Sequence, residues 1–197
     1  MPAEAARDPG RALLAVARHA IAERLGANTD PDELAAARAA LPAGEGASFV
    51  TLTRAGALRG CIGTLEARRP LITDVAENAL AAAFRDPRFP PLRREEWPGT
   101  RVEVSLLAPP EPFVVASEAA AIAALRPGTD GLIFDYGGRR ATFLPQVWES
   151  LPAPADFLAR LKEKAGYPPD FWHPDVRLSR YGVRKWCEDD DEMARHE

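Results

Sequence analysis

Apolar positions recur at steps of three and four from Leu14 through Ala17 and Ile21 to Leu25, with Leu13 alongside. Asp8-Pro9 precedes this run and Gly26 follows it, which predicts a helix opened by a cap and a proline and closed by a glycine. Asp30-Pro31-Asp32-Glu33 repeats the start signal for a shorter helix that closes at Leu41-Pro42. From Ser48 the period falls to two. The β-branched and aromatic run Ser48 to Thr53 and the run Ala57 to Leu65 flank Arg54-Ala55-Gly56, which predicts a β-hairpin. Pro70 opens another helix, with Leu71, Val75, Ala79 and Ala82 on one side, and it stops near Arg85-Asp86-Pro87.

Residues 84–98 mix proline, charge and aromatic side chains and read as an ordered loop. Arg101 to Leu107 alternates as a strand, and Ser117 to Leu125 is an alanine-rich helix. Gly131 to Tyr136 and Arg139 to Leu144 flank Gly137-Gly138, a second hairpin signal. Ala155 to Ala165 is helical, Val176 to Val183 is a strand, and residues 188–197 form an acidic tail expected to fray. Hairpins dominate the strand connections. The fold class is therefore α+β, a mostly antiparallel sheet with helices packed against it.

Composition narrows the function classes. With 46% hydrophobic and 27% charged residues, most of the chain has the make-up of an ordinary folded domain. The 19 prolines fall at segment borders and punctuate that order instead of forming a disordered tract. A net charge of −4 speaks against sequence-independent nucleic-acid binding. No apolar run approaches the ~20 residues of a membrane span, and the polar N-terminus does not read as a signal peptide. Cys61 and Cys187 are too few for a disulfide framework and lack metal-ligand spacing, so a cytoplasmic location is expected. No cofactor fingerprint, phosphate loop or metal cluster is evident.

The chemistry concentrates in Arg59-Gly60-Cys61-Ile62-Gly63-Thr64. On a strand, Arg59 and Cys61 share one face ~6.6 Å apart, close enough for the guanidinium to favour a thiolate. Gly60 and Gly63 weaken a strand and point to close approach of a ligand or another backbone. The opposing reading is that a strand cysteine is a small buried hydrophobe. Glu103 and Ser105 share a strand face and are candidates for the same site; Glu103 could equally be a solvated position or the ion partner of Arg59. Arg85, Asp86 and Arg88 could hold an anionic ligand or tie their loop by ion pairs. Gln146 could face a ligand or serve a buried backbone group. His173 is the one histidine placed to be considered as a base for Cys61, with Pro174 beside it arguing for loop packing. The four tryptophans, Trp97, Trp148, Trp172 and Trp186, read as core or site wall.

Arg59 to Thr64 resembles the signature hexapeptide of the AMMECR domain family. Ala82-Ala83-Phe84-Arg85-Asp86-Pro87-Arg88-Phe89-Pro90-Pro91-Leu92 resembles its second block, and Glu103 to Leu107 with Pro109-Pro110-Glu111-Pro112 its third. Gly131-Leu132-Ile133 and Leu144-Pro145-Gln146-Val147 resemble the fourth. The matches run in order across residues 45–185. The resemblance implies one domain over residues 1–187, with two unequal lobes around a cleft and the larger lobe built from both chain ends. It gathers the motif residues in that cleft, where Cys61, Arg59 and Glu103 are the catalytic candidates read from the residues above. The candidates for ligand contact there are Gly60, Gly63, Thr64, Arg85, Asp86, Arg88, Ser105 and Gln146. It also implies genomic company with a Memo-like protein and a radical SAM protein, and conveys no reaction. Three roles fit: an accessory or substrate-presenting component of such a system, a cysteine-dependent enzyme, or a non-catalytic adaptor. The first needs a cysteine and no general base, and is the one favoured.

Overall fold

The computed structural model describes residues 9–188, and it is an α+β fold with two four-stranded sheets. One unit is built from the described residues up to Leu107 and from Arg184 onward; the other is Ala108–Val183.

In the first unit, α1 (Gly10–Leu25) and α2 (Pro31–Ala40) precede the hairpin β1 (Ala47–Arg54) and β2 (Ala57–Gly63). Helix α3 (Leu71–Phe84), a 3-10 turn (Arg94–Gly99) and β3 (Thr100–Leu107) follow. Two of the cap signals act where the sequence put them. Asp30 accepts from the amides of Asp32 and Glu33, and Gly26 closes α1 in the left-handed region that glycine adopts most readily. Pro9 stands at the N-cap of α1, while Asp8 lies outside the described residues. The residues predicted as a loop contain the 3-10 turn, where Arg93 and Glu96 cap each other.

The first sheet runs β2-β1-β3 and then β8 (Val183–Cys187), with β1 antiparallel to both β2 and β3. Its Val50, Leu52, Val102 and Val104 face Leu13, Ile21, Val75 and Ala79 of α1 and α3 in one core. Each such side chain contributes ~1.5–3 kcal/mol on burial.

In the second unit, β4 (Glu111–Pro112), α4 (Glu118–Ala124), β5 (Gly131–Tyr136) and β6 (Arg139–Phe143) lead to a 3-10 turn (Pro145–Glu149). Helix α5 (Pro154–Lys164) and β7 (Arg177–Tyr181) complete it, and the sheet order is β4-β7-β5-β6. Its core is aromatic: Trp148 stacks on Phe157 at 3.8 Å, against Leu132, Phe134, Leu158 and Leu161. Lys162 is fully buried and reaches the Glu118 carboxylate at 2.5 Å.

Two expectations need correction. The strand predicted over Val176 to Val183 breaks at Gly182 into β7 and β8 (Val183–Cys187), which belong to different sheets. The positively charged positions Arg184 and Lys185 in β8 mask its period in the sequence. The acidic tail was placed from residue 188, yet Glu188 is buried, accepting from both Arg18 Nη1 and the Val102 amide. Residues 189–197 of that tail lie outside the described residues.

Candidate functional site

The hexapeptide is the second half of β2, and most of it is explained by what sits against it. A side chain at Gly60 would put its Cβ 2.2 Å from the carbonyl oxygen of Ala82 in α3, and one at Gly63 would meet the Phe49 ring at the same distance. Both glycines therefore admit neighbours of the fold itself, a helix backbone and an aromatic ring. Ile62 packs on the first core.

Thr64 is drawn into a polar cluster around Asp74 of α3. This carboxylate is 1% exposed and accepts from the Ser48 amide (2.8 Å) and hydroxyl (2.6 Å), Thr64 Oγ1 (2.6 Å), Arg69 Nε (2.9 Å) and Asn78 Nδ2 (2.9 Å). A buried carboxylate supplied with this many donors is a structural element of the sheet–helix contact.

Cys61 lies on the edge strand. Edge strands carry unpaired N–H and C=O groups. At Cys61 the N–H donates to Asp86 Oδ2 at 2.9 Å, and the C=O accepts from Arg88 Nη2 at 3.1 Å. Asp86 is buried and also accepts from the Arg88 amide (3.1 Å), Nε (2.9 Å) and Nη2 (2.7 Å). Those Arg88 hydrogen bonds, aided by the Cys61 and Arg88 amides, hold its carboxyl well below the usual carboxylate range against the cost of burial. Arg88 is in turn pushed further above its ordinary value, first by Asp86 and to a smaller extent by Cys61. Of the two readings of this loop, the ion-pair tie is present. The Cys61 thiol itself is half-buried and accepts from Thr51 Oγ1 at 3.3 Å across the strand pair.

Arg59 takes a different direction. A register shift in the β1–β2 ladder falls beside it, between Leu52 and Thr53, so Leu58 opposes Thr53 and Gly60 opposes Leu52. Its Nε and Nη2 bind Glu96 Oε1 and Oε2 at 3.0 and 3.1 Å. That pairing is the main cause holding the Glu96 carboxyl down to about 2. The guanidinium bonded to Cys61 is thus that of Arg88, and of the alternatives for Glu103 the pair with Arg59 does not form. Glu103 instead meets Lys185 Nζ at 3.1 Å and accepts the Cys187 thiol at 3.0 Å.

Cys61, Thr51 and Glu103 lie on one rung of the sheet, and Gly63, Phe49 and Ser105 on another, with Ser105 buried. Arg85 is exposed and reaches Glu77 at 3.3 Å. Gln146 and His173 belong to the second unit. Gln146 is exposed in its 3-10 turn, and His173 accepts the Asp175 amide at Nδ1 and rests on Tyr136. Trp97 and Trp148 are buried, while Trp172 and Trp186 are partly buried against the two cores. Among the described residues, no three His, Cys, Asp or Glu side chains are grouped to hold a metal ion, and no helix is long and apolar enough to cross a membrane.

Sequence reasoning missed Asp74, Asn78 and Glu96. A signal existed for the first two: they stand at the same spacing as the core positions Leu71, Val75, Ala79 and Ala82, where a polar residue needs a buried partner. Nothing local distinguishes Glu96 from Glu95.

The family model AMMECR1 matches residues 14–186. A protein of Methanothermobacter thermautotrophicus is 41% identical over 196 residues, covering 93% of this chain and 96% of its own. One from Thermotoga maritima is 40% identical over 141 residues, 71% of this chain and 76% of its own. Among solved structures, an uncharacterised protein of Pyrococcus horikoshii aligns with a TM-score of 0.73 at 34% identity, over 92% of each chain.

Proposed function

We propose, for a chain that belongs to the AMMECR1 family over residues 14–186, that it is an accessory protein presenting Cys61 or a ligand bound beside it. Its partners in this reading are a Memo-like protein and a radical SAM protein. The observation that supports it is the way Cys61 is held. Its backbone is fixed on both sides by Asp86 and Arg88, while the thiol meets the Thr51 hydroxyl. Among the described residues no carboxylate or imidazole lies within hydrogen-bond reach of that sulfur. Such an arrangement favours display of the cysteine over general-base catalysis.

The second reading, a cysteine-dependent enzyme, is favoured by the Arg88 guanidinium held on the Cys61 carbonyl. It needs a base from a substrate or partner. The test is binding of the purified chain to purified Memo-like and radical SAM proteins of the same genome. At least one should bind, and Cys61→Arg, melting like the wild type, should bind at least tenfold more weakly. Binding to neither partner, or equal binding by the variant, overturns the proposal.

A further inference from the structure

The turn of the β1–β2 hairpin carries an open hollow of about 920 Å³ that the Cys61 clamp does not use; Arg54, Gly56, Leu58, Arg59, Gly99 and Arg101 line it. Its electrostatics are one-sided. Three guanidinium groups share the Glu96 carboxylate: Arg59 at 3.0 Å, Arg93 at 3.7 Å and Arg54 at 3.9 Å. Arg59 is 11% exposed and spends Nε and Nη2 on Glu96, which leaves Nη1 buried with no acceptor. A buried donor without an acceptor loses the hydrogen bond that water would have given it. Its presence on a side chain that lines a hollow calls for an explanation. Arg54, whose side chain is half exposed, lies at the limit of ion-pair range from Glu96.

We propose that this hollow binds a phosphate group, with Arg54 leaving Glu96 to close on the anion and the Arg59 guanidinium shifting towards it, so that Nη1, covered in the empty state, gains its missing acceptor. Guanidinium forks match phosphate oxygens bidentately, and one further dianion neutralises the excess positive charge. The site stands on residues other than Cys61 and is independent of the partner reading above.

The test is a ¹H–¹⁵N titration with inorganic phosphate and, in parallel, phenyl phosphate, each against sodium chloride at equal ionic strength. Saturable shifts are expected at the amides of residues 55–59 and Gly99. Arg54→Gln, a change at an exposed side chain that should leave the melt unaltered, weakens binding at least fivefold. Arg59→Gln abolishes it if the variant folds. Tighter phenyl phosphate binding identifies a phosphate monoester as the ligand, and equal affinity identifies free phosphate. No saturable shift beyond chloride, shifts centred elsewhere, or unchanged binding by Arg54→Gln overturns the proposal.

Discussion

At Thr64 the hexapeptide runs into Asp74, a buried carboxylate that accepts from Ser48, Thr64, Arg69 and Asn78. At Arg59 and Cys61, on the same strand, a guanidinium N–H is buried without an acceptor and a half-buried thiol meets the Thr51 hydroxyl, with a guanidinium on its own backbone carbonyl. One end is sealed, and the other retains unspent bonding capacity. Matched networks rigidify a fold, whereas unmatched groups are where ligands and chemistry can still gain. A motif with one signature thus divides into a scaffold half and a half available for function.

That division can be broken experimentally, and the largest effect belongs to the sealed end. Asp74→Ala strands the hydroxyls of Ser48 and Thr64 and the guanidinium of Arg69. Urea unfolding should show a loss of ~3–5 kcal/mol. A loss below ~1 kcal/mol would mean the network is dispensable.

Gly60→Ala comes next. Its Cβ would lie 2.2 Å from a helix carbonyl that cannot swing away, so ~1–3 kcal/mol is expected. Gly63→Ala should cost less, because the partly buried Phe49 side chain can swing away about its Cα–Cβ bond; the reverse order would contradict this account of the two glycines.

Glu96 supplies an acid-dependent share. Its carboxyl is held at about 2 against an ordinary 4.5, first by Arg59. The folded value lies below the unfolded one, so this stabilisation is complete above pH 4.5 and is lost as pH falls towards 2. Glu96→Gln should flatten stability across that window, leaving the part due to Asp86. A slope as steep as in the wild type would remove Glu96 from the balance.

The smallest effect is at the hairpin turn, where Ala55 has φ 49°. Alanine is disfavoured in that left-handed region, so Ala55→Gly should raise stability by ~0.5–1 kcal/mol in a thermal melt.

Much of the fold was legible because its signals are local. Asp30-Pro31 opens α2, Gly137-Gly138 turns a hairpin with both residues at positive φ, and the apolar positions of α1 and α3 form the first core. The missed break at Gly182 depends on which sheet each strand joins, and periodicity does not encode that choice. The site was legible as a list of residues and not as a set of partners. Arg59 finds Glu96 37 positions away, and Arg88 finds Cys61 27 positions away. Two residues of spacing along a strand favoured Arg59 as the cation for the thiol. The irregular ladder beside Arg59 and the tie between Asp86 and Arg88 reverse that assignment.

The most direct test of this reversal is the alkylation rate of Cys61 at fixed pH, read by peptide mass spectrometry, with Cys187 as internal comparison. It would be measured in the native wild type, Arg88→Gln and Arg59→Gln. The account predicts that Cys61 labels readily in the wild type, several-fold more slowly in Arg88→Gln, and at the wild-type rate in folded Arg59→Gln. Slowing confined to Arg59→Gln, or a Cys61 that resists labelling in all three, would contradict it.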